Sequence, residues 1–170
     1  MMRVYIPATV AMLQQLVADG SLWPINGTAF AVTPSLREAY AEGDDDELGE
    51  VALREAALAS LRLLAGAAED FGQSGDDLPP RRAVLVADVG DVTLRPDLDD
   101  GAVKISGTVP LEKVAAVHVD GEEAEYAVTQ ASAAVDKADM GDLDAEFLVG
   151  EAEDHDLAWY DPSEIAHLVR

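Results

Sequence analysis

Apolar and polar positions along this chain switch repeatedly between a period of two and a period near 3.6. "RVYIPA" (Arg3 to Ala8) is a short extended run closed by Pro7. Val10, Met12, Leu13, Leu16 and Val17 then recur at helical spacing, with Thr9 placed as N-cap and Gly20 just past the end. "AFAVT" (Ala29 to Thr33) predicts a second strand, and Thr33-Pro34 a cap and first position for the helix that follows. The longest helix is predicted from about Glu47 to Phe71, entered through the acidic stretch "AEGDDDELGE". It carries two apolar stripes, one through Val51, Leu58, Leu61, Ala65 and Ala68, the other through Leu53, Ala57, Leu64 and Phe71. A helix apolar on two adjacent stripes is covered on more than one side, either between a sheet and another helix or at a dimer interface.

"GQSGDDLPPRR" (Gly72 to Arg82) breaks the pattern. "AVLVADV" (Ala83 to Val89) predicts a buried strand and "AVKISGTV" (Ala102 to Val109) a half-buried one. "AAVHVD" is the next strand, "EEAEYAVTQASAAVDKA" the next helix, and "EFLVGEA" reads as a further strand. A last short strand ends at "AWYD", and Asp161, Pro162 and Glu164 form a capping box for a terminal helix. Strand, cap, proline and helix thus occur in the same order in "AFAVTPSLREAY" and "LAWYDPSEIAHLV". That rhythm is either a βαβα pseudo-duplication or the ordinary punctuation of strands and helices. The elements together predict an α/β or α+β fold, one domain over residues 1–170, with a mixed sheet of about six strands flanked by helices.

Composition narrows the function classes. Apolar residues make up 49 % of the chain, too many for a disordered one. The 34 acidic and 11 basic side chains give a formal charge of -23. Such a field repels phosphate polymers and anionic lipid surfaces, so neither direct nucleic-acid binding nor membrane binding is expected. It attracts a basic protein partner or a multivalent cation, and it also serves plain solubility. No cysteine is present, which removes thiolate chemistry and Cys-ligated metal sites. Gln14, Gln15 and Asp19 interrupt the first apolar run, so no cleavable leader is read there and a cytoplasmic location is expected.

The candidate chemistry centres on His118 and Asp120. They are two apart on a strand, so they share a face about 7 Å apart. A His and a carboxylate so placed serve a metal or a proton transfer if a third group joins them. Asp120-Gly121 is equally a strand-to-helix turn, in which the carboxylate caps the helix, and this structural reading is the preferred one. His155 lies among Glu153, Asp154 and Asp156, consecutive residues that point in opposite directions on an extended chain and read as a solvated acidic loop. His167 sits in the last turn of the terminal helix. Trp159 and Tyr160 are adjacent on a strand, so one is expected to be buried and the other to be available as a ligand or partner anchor. No phosphate-binding glycine loop, nucleophile elbow or calcium loop occurs, and the serines fall in caps, turns or helices. No cofactor is therefore expected.

"MRVYIPATVAMLQQLVADG", "FAVTPSLREAY", "VAAVHVD" and "LAWYDPSEIAHL" together resemble an uncharacterised family of short acidic cytoplasmic proteins from actinobacteria. The resemblance covers nearly the whole chain and implies a soluble stand-alone domain, with no activity to carry over. The leading functional expectation is a non-catalytic interaction or regulatory protein that engages a basic or apolar protein partner, or a second copy of itself in a homodimer. Its rival is a metal-binding protein or small enzyme built on His118 and Asp120 with a further carboxylate. A third reading is a DNA mimic whose carboxylates fill a basic groove.

Overall fold

Two central strands organise the molecule. The computed structural model describes residues 1–40, 42–71 and 78–169. In it, β1 (Met2–Ala8) and β4 (Ala83–Val89) pair antiparallel along their full length, from Met2 opposite Val89 to Ala8 opposite Ala83. Around them the sheet grows to seven strands in the order β5-β6-β3-β1-β4-β8-β9, where β3 is Thr28–Phe30, β5 Val92–Leu94, β6 Ala102–Ile105, β8 Val114–Val119 and β9 Ala158–Tyr160. A separate two-stranded ribbon joins β2 (Ser21–Leu22) to β7 (Val109–Pro110). Six α-helices complete the described residues: α1 (Val10–Asp19), α2 (Pro34–Ala39), α3 (Asp45–Phe71), α4 (Glu125–Asp139), α5 (Leu143–Glu153) and α6 (Ile165–Leu168). The fold is α+β.

The strand count exceeds the expected six, and every neighbouring pair in the large sheet is antiparallel, which corrects the expectation of a mixed sheet. Chain traverses explain it. One helix between two neighbouring strands makes them parallel. Between β8 and β9 lie two helices, α4 and α5, and between β1 and β3 lie α1 and the short β2. Each connection crosses the molecule twice, so the strand returns antiparallel.

The second traverse after β8 is where a strand was expected, at "EFLVGEA". It is helical because Asp142 caps it, accepting from the Ala145 N–H at 3.0 Å, and because Ala145, Val149 and Ala152 bury at helical spacing. The other caps follow the sequence: Thr9 accepts from Met12 N, Thr33 from Leu36 N, and Asp161 and Glu164 form the capping box. Gly20 sits in the left-handed region at φ 75°, where it ends α1. The break expected over Gly72 to Arg82 lies, from Gly72 to Asp77, outside the described residues, as do Ser74 and the side chains of Ala68 and Phe71.

Strand alternation divides the core. Val4, Ile6, Leu85, Ala87 and Val117 point to one face and pack with Leu13 and Leu16 of α1 and Ile165 of α6. Val84 and Phe30 point to the other face, where Ala52, Ala56 and Ala57 of α3 lie on them. Further along α3, Leu61 and Ala65 pack with Val128, Ala131 and Val135 of α4 and with Val149 and Ala152 of α5. The long helix therefore lies between the sheet and a helical hairpin, one of the two arrangements its double stripe implied. Its approach to the sheet is close. A Cβ on Gly49 would stand 2.9 Å from the Tyr5 hydroxyl, so glycine keeps that turn free of the ring. Buried Ser60 fixes the same contact, donating to Ala8 O at 2.6 Å and accepting from Ala83 N at 3.0 Å.

Candidate functional site

Register places Val84, His118 and Trp159 side by side on three neighbouring strands. All three face the α3 side of the sheet. Val84 is fully buried beneath α3, His118 is half-buried, and Trp159, on the edge strand, is 60 % exposed. A cleft of about 640 Å³ opens over this row, between α3 and the segment joining α5 to β9. Its apolar wall comes from Leu53, Ala57, Leu58 and Leu157. Carboxylates reach it from separate segments: Glu50 and Glu55 of α3, Glu153 at the end of α5, and Asp154 and Asp156 beyond it.

Asp120 does share His118's face of the strand, but its carboxylate is occupied. One oxygen accepts from the Arg82 backbone N–H and from Arg82 Nε, the other from Arg82 Nη2, each at 2.8 Å. The pair is buried, with 4 % of the Arg82 side chain and none of the Asp120 side chain exposed. Arg82 also donates to the His155 carbonyl at 2.8 Å, which ties the α5–β9 segment to the start of β4. Asp120 therefore does not cap the following helical turn. Its role is to neutralise and orient Arg82. The preceding residue repeats the motif, since Arg81 grips Glu125 at the start of α4 at 2.8 Å. Arg81-Arg82 is the chain's only adjacent pair of basic residues, and that was the available sequence signal. It lay at the end of what read as a loop.

Burial depresses the His118 pKa below its ordinary value, with Glu50 pulling weakly the other way. The imidazole is therefore neutral at pH 7, and it makes no hydrogen bond among the described residues. Glu55 is pushed upward, first by burial and then by the charge of Asp99, with Arg62 pulling the other way and Glu153 adding a smaller push. His155 lies in the cleft lining as well, whereas His167 sits in α6, away from it. Among the described residues no group of three or more His, Cys, Asp or Glu is placed to hold a metal ion.

Trp159 and Tyr160 separate as adjacent strand residues must. Tyr160 packs against the core on the α1 side and Trp159 stands at the cleft.

A second surface went unnoticed in the sequence. Met140, Leu143 and Phe147, at the α4–α5 turn and on the outer side of α5, are 88, 78 and 66 % exposed. Leu143 and Phe147 are four residues apart on one helix and so adjoin each other. Exposed acids surround them in sequence: Asp142, Asp144, Glu146 and Glu151. Because α5 is apolar on both its buried and its exposed sides, it lacks the one-sided pattern that marks a surface helix. That is why it read as a strand. No described helix is long and apolar enough to cross a membrane.

The chain belongs to a family of unknown function (DUF6912), whose model matches residues 2–169. No curated protein and no solved structure matches it.

Proposed function

We propose that this family member is a cytoplasmic, non-catalytic interaction protein that holds a basic protein partner through the outer face of α5. The observation that carries the reading is the exposed trio Met140, Leu143 and Phe147 set among carboxylates. An apolar centre with a polar rim is how protein interfaces are built, and Phe and Met are enriched at their centres. The rim here has one sign. Among the described residues six arginines are each held by a carboxylate, at Asp88, Asp45, Asp139, Glu125, Asp120 and Asp97, so the remaining acids present an unbalanced negative field. A basic segment with apolar side chains complements both features. A second copy of the chain does not, because it brings its own charge of -23 to the contact.

The test is a pull-down from cell lysate with the wild type and with a Leu143→Ser, Phe147→Ser variant, each at low and moderate salt. Both side chains are exposed, so the variant folds, which circular dichroism verifies. Proteins captured by the wild type and lost by the variant are expected to be basic and to release as salt rises. The reading fails if the two baits capture the same proteins. It also fails if sedimentation shows a wild-type dimer that the variant abolishes, since the face then belongs to a homodimer.

A further inference from the structure

We infer that the cleft beside β8 and β9 is a binding site for a small organic cation, an amine or guanidinium carried on an apolar body, with Glu50 and His118 meeting the cation and Trp159 covering the body. This is a second site, independent of the α5 face. Four observations meet there.

The first is size. About 640 Å³ lies in the range of pockets that take whole small molecules, and exceeds what one inserted side chain needs. The second is the wall. Leu53, Ala57, Leu58 and Leu157 offer a surface for hydrocarbon, and the indole of Trp159 stands exposed beside it. An indole face attracts a cation as well as an apolar body.

The third is charge. Five carboxylates line the cleft from two stretches of the chain, α3 and residues 153–156, against Arg54, Arg82 and two histidines. Arg82 is already neutralised by Asp120 in a buried pair. Glu50 and Arg54 also line a neighbouring hollow along α3, to which Glu42, Asp46 and Glu47 add further negative charge. The net field inside is negative, so an anionic ligand is excluded and a cationic one drawn in.

The fourth is the floor. His118 is half-buried with no hydrogen-bond partner among the described residues. A ring nitrogen of a neutral imidazole accepts a hydrogen bond from an ammonium or guanidinium N–H. Arg82 keeps this arrangement open by fixing the His155 carbonyl, and with it the segment that forms the far wall.

The experiment uses the full chain with Trp23→Phe, which leaves Trp159 as the only tryptophan and makes its emission a direct reporter. The probes are 4-phenylbutylamine, agmatine and spermidine. The matched controls are neutral 4-phenylbutanol, anionic 4-phenylbutyrate and a capped Gly-Lys-Gly peptide. Expected is a saturable one-to-one change in Trp159 emission with 4-phenylbutylamine, and affinity about tenfold weaker for the alcohol. Glu50→Gln and, read by calorimetry, Trp159→Ala each weaken the amine several-fold, whereas Asp136→Asn, an exposed acid on α4 outside the cleft, leaves it unchanged. The inference is overturned if no amine saturates, or if the alcohol or the acid binds as well. It is also overturned if Asp136→Asn weakens binding as much as Glu50→Gln, which would mean a diffuse surface field. Tighter binding of the lysine peptide overturns it too, since the cleft would then serve a partner's side chain.

Discussion

Asp120→Ala removes the only carboxylate paired with the buried Arg82 guanidinium among the described residues. Three hydrogen bonds of 2.8 Å disappear, including the one to the Arg82 backbone N–H, and a charge with 4 % side-chain exposure is stranded. Breaking such a pair from one side costs about 3–5 kcal/mol, because the remaining charge stays desolvated. A domain of this size holds about 5–15 kcal/mol in total, so the loss is a large part of its stability. At roughly 3 °C per kcal/mol, the melting temperature falls by roughly 10 °C. Arg82→Met strands the carboxylate instead and costs a similar amount. Made together, the two substitutions leave no unpaired charge, and their combined cost falls short of the two separate costs added, by about 2–3 kcal/mol. Urea denaturation of the four proteins measures this cycle. The reasoning is refuted if Asp120→Ala costs less than about 1 kcal/mol, or if the two costs simply add. The same substitution also reads on the cleft. Without Asp120 the guanidinium loses the partner that orients it toward the His155 carbonyl, so amine affinity drops even in the population that remains folded.

The exposed pair Arg95–Asp97 gives the opposite expectation: Asp97→Ala leaves the urea midpoint unchanged, although its hydrogen bond at 2.8 Å is as short as those of the buried pair. Gly49→Ala raises helix propensity by about 1 kcal/mol but drives a Cβ to 2.9 Å from the Tyr5 hydroxyl, so the melting temperature falls in the wild type and rises when Tyr5→Phe accompanies it. His118 gives a pH signature. Its folded pKa lies below the unfolded value near 6.5, so the unfolded chain takes up the proton first as pH drops. Its contribution is therefore complete above pH 6.5 and declines below it until the folded pKa is passed. The groups that face it are Glu50 and Arg54 of α3, Arg82 before β4, and residues 153–156 beyond α5. His118→Asn flattens the difference in urea stability between pH 7.5 and pH 5.5; an unchanged difference rejects the assignment.

Local rules carried far in this chain. Thr9, Gly20, Thr33-Pro34 and Asp161-Pro162-Glu164 punctuate helices where their chemistry requires, because a cap acts over three or four residues and is visible in as many letters. The apolar breadth of α3 likewise reported covering on more than one side, now seen as the sheet at Ala52, Ala56 and Ala57 and the α4–α5 hairpin at Leu61 and Ala65, although the two coverings divide the helix along its length and do not follow the two stripes. What escaped was non-local. Whether β9 returns parallel or antiparallel to β8 depends on counting traverses, and the count failed at α5, whose buried residues 145, 149 and 152 were masked by apolar residues 143 and 147 on its other side. Asp120 escaped for a related reason. Its partner stands 38 residues earlier, and no local pattern links a carboxylate at a strand end to an arginine at the start of another.

That distance decides how the polar residues should be read. A carboxylate next to a histidine on one strand suggests shared chemistry only while both are unoccupied. Asp120 has been claimed by an arginine just before the adjacent strand, which leaves the imidazole without its sequence neighbour but still at the floor of a concave, negative space. The acids available to it come from α3 and from beyond α5, elements brought together by the sheet and held by Arg82. The same ion pair that removes the His118–Asp120 couple therefore builds the cleft in which His118 is free to meet a ligand. The structural role of Asp120 and the binding role proposed for His118 rest on one guanidinium, and weakening that guanidinium's hold is expected to weaken both.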